Sequence, residues 1–269
     1  MHVMKKNIAL FCALLNCLTY CTINLKISRE HAAIIGNLIW KNESNQSIDK
    51  LTFWKDGEEF ASFGIGHFIW YPEKEHQLFS QTFPGLLYFF KQQGIKLPQW
   101  LEKARKIGCP WRSRDEFMQQ LSSKRMKELR DLLIKTIDLQ TLFIIRRFEK
   151  SIPKILDSCN AIERHHIQNQ INRLSSTLNG LYALVDYINF KGEGIDPKEA
   201  YNNHSWGLKT VLLCMQAKEP GMPAVEEFVQ CAQKALETRI KFSPKERNES
   251  QWLAGWLNRI QTYKIPLSA

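Results

Sequence analysis

The spacing of apolar residues predicts that the chain begins its ordered part with a helix. Between residues 28 and 42 the apolar positions recur every three or four residues, at Ala32, Ile35, Leu38 and Ile39. This is the spacing of one buried helix face. Ser28 is a favourable N-cap, because a serine hydroxyl can accept a hydrogen bond from an unpaired backbone N–H. We therefore expect a helix that ends close to Glu43.

The next segment favours β-structure, and the rest of the chain favours helices. Residues 51–54 and 60–70 are rich in strand-forming residues and flank an Asp-Gly turn signal at Asp56. Beyond Phe83 the periodicity is helical. The expected helices cover 114–136 with 140–150 as one long stretch, 161–178, 181–189, 206–215, 223–241 and 251–263. The predicted fold class is α+β and mostly helical, with a small β-hairpin sheet beside a helical bundle.

Composition and charge limit the classes of partner. The chain has 269 residues, of which 44% are apolar, so it can bury a core as one domain. Its net charge of +10 suggests an anionic partner, such as nucleic acid, anionic lipid or an acidic envelope polymer. The basic residues are dispersed and form no nucleic-acid motif, so we expect no nucleic acid as a partner. We also expect a monomer.

The N-terminal residues 1–22 are typical of a signal peptide or N-terminal anchor. Lys5 and Lys6 precede an apolar run at 8–20, which is short for a bilayer span. Tyr20 is bulky where signal cleavage favours a small residue, so an uncleaved anchor and lipidation of Cys17 or Cys21 stay open. Each alternative implies export to the periplasm or cell envelope, with no other membrane contact.

Four cysteines follow this segment and form no Cys-x-x-Cys pair. An exported chain can hold one or two disulfides among them, with three possible full pairings, or it can keep buried free thiols. His165 and His166 are adjacent and have no further ligand at metal-site spacing. We therefore expect no metal and no cofactor. The four cysteines are Cys109, Cys159, Cys214 and Cys231.

Glu43 is the first candidate for chemistry. Trp40 precedes it by three residues and lies on the same helix face. A carboxyl group beside an indole and shielded from water tends to keep its proton near neutral pH, which is the state a general acid requires. The alternative is a solvated glutamate at a helix end.

A second group of candidates lies in the predicted hairpin. Asp56 in the turn and Ser62 on the returning strand can face one cleft and hold a water molecule. Gly64 and Gly66 allow close approach of a neighbouring element or a ligand to the backbone, and His67 follows them directly. The alternatives are a simple Asp-Gly turn, a buried bent strand and a core histidine.

Together these residues resemble the catalytic hairpin of the phage-type lysozymes (muramidases and endolysins), within the lysozyme-like superfamily. That family carries Glu at the end of the first helix, then Asp, five residues, Thr, any residue and Gly-x-Gly-His. Ser62 replaces the threonine and keeps its hydroxyl. The interval from Glu43 to Asp56 is about four residues longer than usual in the family. The turn glycine is also shifted, with Glu59 in its place and Gly57 two residues earlier.

Two later stretches agree with the family in chain order. The sequence ALVDYINFKGEG at 183–194 resembles its central helix, and GWLNRIQTY at 255–263 resembles its final helix. The resemblance covers 28–71 and 180–265. We therefore expect residues 23–269 to form a lysozyme-like domain with an enlarged helical middle at about 80–178, which has no counterpart in the family.

The resemblance implies hydrolysis of the β-1,4 bond between N-acetylmuramic acid (MurNAc) and N-acetylglucosamine (GlcNAc) in peptidoglycan glycan strands. Glu43 would be the general acid, and Asp56 with Ser62 would position the water. The cleft floor and wall would then comprise Gly64, Gly66, His67, Asn189, Lys191 and Glu193. Two alternatives remain, a lytic transglycosylase and a non-catalytic peptidoglycan-binding protein that kept the lysozyme fold.

Overall fold

The structure is a computed structural model that describes residues 27–72, 80–216 and 219–267. The expected signal or anchor segment at 1–22 lies outside these residues. Most described residues are helical, and the remaining regular structure is antiparallel sheet. The α+β, mostly helical prediction is therefore confirmed. Within the described ranges, no helix is both long and apolar enough to cross a bilayer.

Eleven α-helices, four 3-10 helices of three residues each and five short strands make up the regular structure of the described residues. The helices are α1 (Arg29–Ser44), α2 (Phe83–Gln92), α3 (Gln99–Ile107), α4 (Arg114–Gln119), α5 (Lys124–Lys135), α6 (Ile137–Asp157), α7 (Ala161–Leu174), α8 (Leu178–Lys191), α9 (Leu208–Cys214), α10 (Met222–Phe242) and α11 (Ser250–Gln261). The strands are β1 (Thr52–Phe53), β2 (Ala61–Phe63), β3 (Phe68–Trp70), β4 (Ala200–Tyr201) and β5 (His204–Ser205).

Helix α1 begins and ends as its sequence predicts. The Ser28 hydroxyl accepts a hydrogen bond from the His31 backbone N–H at 3.0 Å, and Asn45 ends the helix with a left-handed backbone at φ 52°. A side chain at Gly36 would collide with Thr141 of α6. This close contact fixes α1 on the long helix α6 and leaves Glu43 in the last turn of α1.

The sheet differs from the prediction in one respect. Residues 60–70 do not form a single strand, because a turn at residues 64–67 splits them into β2 and β3, which pair antiparallel. Gly64 at φ 72° and His67 at φ 45° both adopt left-handed backbone. The Gln140 side chain of α6 accepts a hydrogen bond from the Ile65 N–H at 2.9 Å. The turn is thus anchored to the helical part of the molecule.

The two faces of this sheet have different surroundings. Phe63 packs into the core against Phe83 and Trp111. Ser62 projects from the opposite face, because neighbouring residues of a strand alternate between faces. Its cross-strand neighbours there are Phe53 of β1 and Ile69 of β3. This second face borders the cleft described below.

The helical middle belongs to the same hydrophobic core as the rest of the described chain. The stretch predicted as one long helix from 114 to 150 is divided into α4, α5 and α6. Ser113 and Ser123 cap α4 and α5 by accepting hydrogen bonds from backbone N–H groups. Helix α6 packs against α1 and α8, and so lies between the segments that carry the candidate residues.

One disulfide is present among the described residues. Cys214 at the end of α9 is bonded to Cys231 of α10, with 5.7 Å between their Cα atoms. Cys109 and Cys159 are free thiols. Burial raises the pKa of the Cys109 thiol to about 12, so this thiol is unreactive at neutral pH.

Candidate active site

Glu43 of α1 contacts residues from three other parts of the chain that are distant from it in sequence. Its Oε1 accepts a hydrogen bond from Arg259 Nη2 at 2.7 Å and a longer one from Asn189 Nδ2 at 3.5 Å. Its Oε2 lies 3.4 Å from His67 Nδ1. The side chain is 14% exposed. The first helix, the Gly-x-Gly turn, α8 and α11 thus contribute to one carboxylate site.

Arg259 is held by a second carboxylate behind Glu43. Asp186 of α8 is fully buried and accepts hydrogen bonds from Arg259 Nε at 2.9 Å and Nη2 at 2.7 Å. Tyr263 donates its hydroxyl proton to Asp186 Oδ2 at 2.6 Å. A bidentate arginine–carboxylate pair has a defined geometry. Asp186 and Tyr263 therefore fix the guanidinium that in turn positions Glu43.

The protonation of Glu43 differs from the sequence-based expectation. Burial raises the pKa of this carboxyl. The charge of Arg259, the charge that His67 carries when protonated and the hydrogen bond from Arg259 together lower the pKa by more than burial raises it, so the net pKa lies below its ordinary value. The prediction that Trp40 keeps Glu43 protonated near neutral pH is wrong for the free protein. The guanidinium, which the local sequence around Trp40 does not reveal, decides the outcome.

His67 lies against Glu43, and the pKa of its imidazole is shifted below the ordinary value. Burial lowers the pKa of the imidazole, the negative charge of Glu43 raises it, and Arg259 and Lys50 lower it, with a net decrease. Its ring also stacks on Phe53, with 6.1 Å between the ring centroids. The imidazole therefore contacts both the candidate acid and the exposed face of the sheet.

A cleft opens beside this carboxylate. A cavity of about 490 Å³ runs between the sheet and the helices, and His67 and Asn189, the contacts of Glu43, both line it. A neighbouring cavity of about 400 Å³ continues along α6 and shares Asn189 and Arg147 with the first. The two cavities form one groove with an ionised carboxylate at its edge.

The other hairpin candidates lie around the first cavity. Gly66 lines it, and a Cβ at this position would approach Phe68 to 2.9 Å and Ile144 to 3.1 Å, so the turn needs glycine for packing. Gly64 lies behind it, against Gln140. Ser62 lies on the sheet face that carries the cavity-lining Ile69, and its hydroxyl has no hydrogen-bond partner among the described residues.

Asp56 is placed differently from Glu43. It lies in the turn between β1 and β2, its side chain is 92% exposed, and its charged neighbour is Arg114 of α4 at 3.8 Å. It does not line either cavity of the groove. Asp56 is therefore a solvated carboxylate of the hairpin end in the free protein.

The two wall candidates have different surroundings. Asn189 lines both cavities and contacts Glu43. Glu193 lines the second cavity, where its Oε1 accepts hydrogen bonds from Ser151 at 2.6 Å and Lys154 at 2.8 Å. Glu193 thus joins the end of α8 to α6, and Asn189 is the wall residue nearest to the candidate acid.

Sequence reasoning missed two charged residues of this site, Arg259 and Asp186, which were noted only as parts of matching stretches. Lys191 was a candidate for the cleft wall together with Asn189 and Glu193. Lys191 Nζ lies 3.2 Å from the Trp256 ring centroid and 4.1 Å from that of Phe190. Burial, with the charges of Arg239 and Arg259, holds its pKa well below the ordinary value. The sequence signal for Asp186 was its charge inside the apolar helix α8, because a buried charge requires a partner.

Aromatic residues near the groove could stack on sugars, and two of them, Tyr187 and Trp206, have different surroundings. Tyr187 is fully buried and donates its hydroxyl proton to the Trp206 carbonyl at 2.8 Å. Trp206 lines the first cavity, and the Arg239 guanidinium lies over its ring at 4.1 Å. The described residues contain no group of three or more His, Cys, Asp or Glu side chains that could hold a metal ion.

Comparison of the chain with protein-family models, with curated proteins and with solved structures finds no significant match. The functional argument therefore rests on the cleft and its residues.

Proposed function

We propose that this protein is a lysozyme-like peptidoglycan hydrolase in which Glu43 is the general acid. The observation that carries the proposal is the Glu43 carboxylate, held at the edge of a groove by Arg259, His67 and Asn189. A carboxyl group fixed beside a groove can supply the general acid that protonates a leaving glycosidic oxygen. The reaction is hydrolysis of the β-1,4 bond between MurNAc and GlcNAc.

The lowered pKa of Glu43 sets the conditions for this role. An acid catalyst acts through its protonated fraction, which grows as pH falls towards the pKa. Glycan bound in the groove excludes water from Glu43, and this desolvation favours the protonated form. Glu43 then donates its proton to the leaving oxygen, and Arg259 stays bound to Asp186. The proposed enzyme is accordingly most active at acidic pH.

The sheet face supplies the candidate position for the water. Ser62 has a free hydroxyl on the face that carries Ile69, so it can orient a water molecule. Asp56 completes this role only if the hairpin end moves towards bound glycan, because its carboxylate is exposed in the free protein. Export to the periplasm or cell envelope, with residues 1–22 as signal or anchor, places the enzyme with its substrate.

One observation favours a second candidate, a lytic transglycosylase. Such an enzyme uses one glutamate and no water-positioning aspartate, and Glu43 is the residue that fits this role while Asp56 faces solvent. Its products end in 1,6-anhydro-MurNAc instead of a reducing MurNAc. The chemical form of the product end therefore separates the two reactions.

The test is digestion of purified peptidoglycan by the full chain, with mass spectrometry of the products. Glu43→Gln is compared with Glu30→Gln, which removes an exposed carboxylate from the first turn of the same helix. We expect reducing-end products, a loss on the order of 10²–10⁴ in rate for Glu43→Gln, and little change for Glu30→Gln. Anhydro products would assign the transglycosylase reaction. Glycan binding by the unmodified chain without any product would assign a binding protein instead.

A further inference from the structure

One arginine in the groove has no anionic partner. Arg147 of α6 is half-buried and lines both cavities. Among the described residues, none accepts a hydrogen bond from its guanidinium and no carboxylate lies within 4 Å of it. Glu193 acts on it only at longer range, and burial lowers the pKa of the guanidinium. A cation withdrawn from water in this way is destabilised unless an anion binds to it.

The other arginines that line the groove are paired. Arg239 donates hydrogen bonds to Glu249 at 2.6 Å and 2.9 Å, and Arg247 lies 3.1 Å from the same carboxylate. Lys154 lies on the same face of α6, two turns beyond Arg147, and is paired with Glu193. Arg147 therefore differs from the other arginines of the groove in presenting free donors to it.

Three carboxylates of the opposite wall, those of Glu193, Asp196 and Glu199, line the groove with Arg147, and none of them lies within 4 Å of its guanidinium. Glu193 is neutralised by Lys154. Burial raises the pKa of Glu199, which lines both cavities, and a backbone hydrogen bond from Gly194 offsets this only in part. Lys150 of α6 adds a further positive charge to the second cavity. The α6 side of the groove is thus the side suited to an anion.

Arg147 lines the same cavities as a residue that contacts the proposed general acid. Asn189 lines both cavities together with Arg147 and also contacts the Glu43 carboxylate. An anion at Arg147 would therefore belong to a sugar close to the bond that is cleaved. A planar guanidinium binds a carboxylate through two parallel hydrogen bonds. GlcNAc is neutral, whereas the MurNAc unit carries a carboxylate on its lactyl group or on its stem peptide.

We propose that Arg147 is a specificity residue that binds a carboxylate of the MurNAc unit in the groove. This inference rests on the proposed function, because it assumes that the groove holds a peptidoglycan strand. It goes further by assigning a role in substrate selection to the helical middle of the chain, which has no counterpart in the lysozyme resemblance. Arg147 does not touch the reacting atoms in this proposal, so it is not a catalytic residue.

The experiment measures dissociation constants by calorimetry in the full chain carrying Glu43→Gln, so that the ligands are not cleaved. Three tetrasaccharide probes are compared. One is (GlcNAc–MurNAc)₂ with free lactyl carboxylates, one is the same glycan with L-Ala–D-Glu on each lactyl group, and one is neutral chitotetraose. Arg147→Gln and Arg147→Lys are the test variants. Arg146→Gln is the matched control, because Arg146 is the adjacent residue on α6 and lies over the Phe89 ring outside both cavities.

We expect Arg147→Gln to weaken binding of at least one MurNAc probe on the order of 10- to 100-fold and of chitotetraose by less than about threefold. Arg147→Lys should retain part of the affinity, and Arg146→Gln should retain all of it. Loss confined to the first MurNAc probe identifies the lactyl carboxylate, and loss confined to the second identifies the stem peptide. Equal loss for all three probes, or no loss, overturns the role of Arg147 alone. If the Glu43→Gln chain with native Arg147 binds none of the three probes, the proposed function is overturned as well.

Discussion

Arg259 is the residue on which the geometry of Glu43 depends. It donates hydrogen bonds to Glu43 and to Asp186, and all three side chains are largely buried. Arg259→Met removes the shared donor and leaves two buried carboxylates without their cation. Breaking a buried ion pair in this way costs about 3–5 kcal/mol. We expect a decrease of that size in the free energy of unfolding, measured by urea denaturation at pH 7.

The control for this prediction is an arginine in an exposed ion pair. Arg164 lies 3.6 Å from Asp157, and the Asp157 side chain is 56% exposed. Arg164→Gln should change the free energy of unfolding by at most about 1 kcal/mol, because surface pairs contribute little. If the two variants lost equal stability, the Arg259 network would not be the structural support of the site.

The titration of Glu43 gives a pH-dependent prediction. Its pKa in the folded protein lies below the ordinary value of about 4.3. Such a group stabilises the fold at pH values above its unfolded pKa, and this contribution disappears as pH falls through the folded pKa. The stability advantage of the native chain over Glu43→Gln should therefore be largest above about pH 5 and shrink at lower pH.

This advantage is the difference in free energy of unfolding between the native chain and Glu43→Gln, measured at pH 3 and again at pH 7. Glu30→Gln is again the control, because that side chain is exposed and makes no contact with the site. An advantage of native Glu43 that stayed constant over this range, or grew as pH fell, would contradict the ionised state described for the free protein.

The sequence contains the residues of the site but not their pairing. Glu43 could be singled out because it ends a helix, and His67 because it follows two glycines. The Glu43–Arg259 contact joins residues that are 216 positions apart. Local periodicity has no information about such a contact, so the charge state of Glu43 could not be predicted. Arg147 was missed for the same reason. It stands out only because no carboxylate among the described residues pairs with it, and local sequence does not show which charged residues are paired.

At the scale of elements, the turn at residues 64–67 connects the sheet to the helices. Gly64 has φ 72°, and a Cβ there would collide with the Gln140 side chain that binds the Ile65 N–H. Gly64→Ala therefore combines left-handed strain, about 1–2 kcal/mol, with disruption of a buried hydrogen bond, about 1–3 kcal/mol. We expect a total loss of roughly 2–5 kcal/mol in the free energy of unfolding.

Gly94 provides a matched control for the strain alone. It has φ 79°, and a Cβ at this position would meet no atom within 4 Å. Gly94→Ala should therefore cost only the left-handed strain, about 1–2 kcal/mol. Equal losses in the two alanine variants, measured by urea denaturation, would mean that the contact of the turn with Gln140 contributes nothing to stability.

The elements themselves were predicted to different degrees. Helix α1 was predicted well because Ser28 caps it and its apolar spacing is regular. Residues 60–70 were predicted as one strand, since apolar residues continue through the turn and only positive φ at Gly64 and His67 divides them. The helical stretch at 114–150 was not divided for a similar reason. Its interruption at Ser123 has no proline or glycine, so the break depends on packing against the core.

At the scale of the whole molecule, the net charge of the chain and the charge inside the groove act together. The net charge is +10, and removal of residues 1–22 with Lys5 and Lys6 lowers it by two. A chain with this charge attracts an anionic polymer over distances set by the ionic strength. The unpaired Arg147 within the groove places part of that charge where a strand would bind. Long-range attraction and local recognition therefore favour the same class of ligand.

This argument predicts how ionic strength affects activity. The Debye length falls from about 30 Å at 0.01 M salt to about 8 Å at 0.15 M salt, so attraction to an anionic wall is strongly screened over this range. We expect kcat/KM on purified peptidoglycan to fall several-fold between these conditions. The dissociation constant of neutral chitotetraose for the chain carrying Glu43→Gln should change much less over the same range, because this ligand has no charge to be screened. An equal response in both measurements would assign the salt effect to the protein itself, and the excess of basic residues would then have no role in binding the wall.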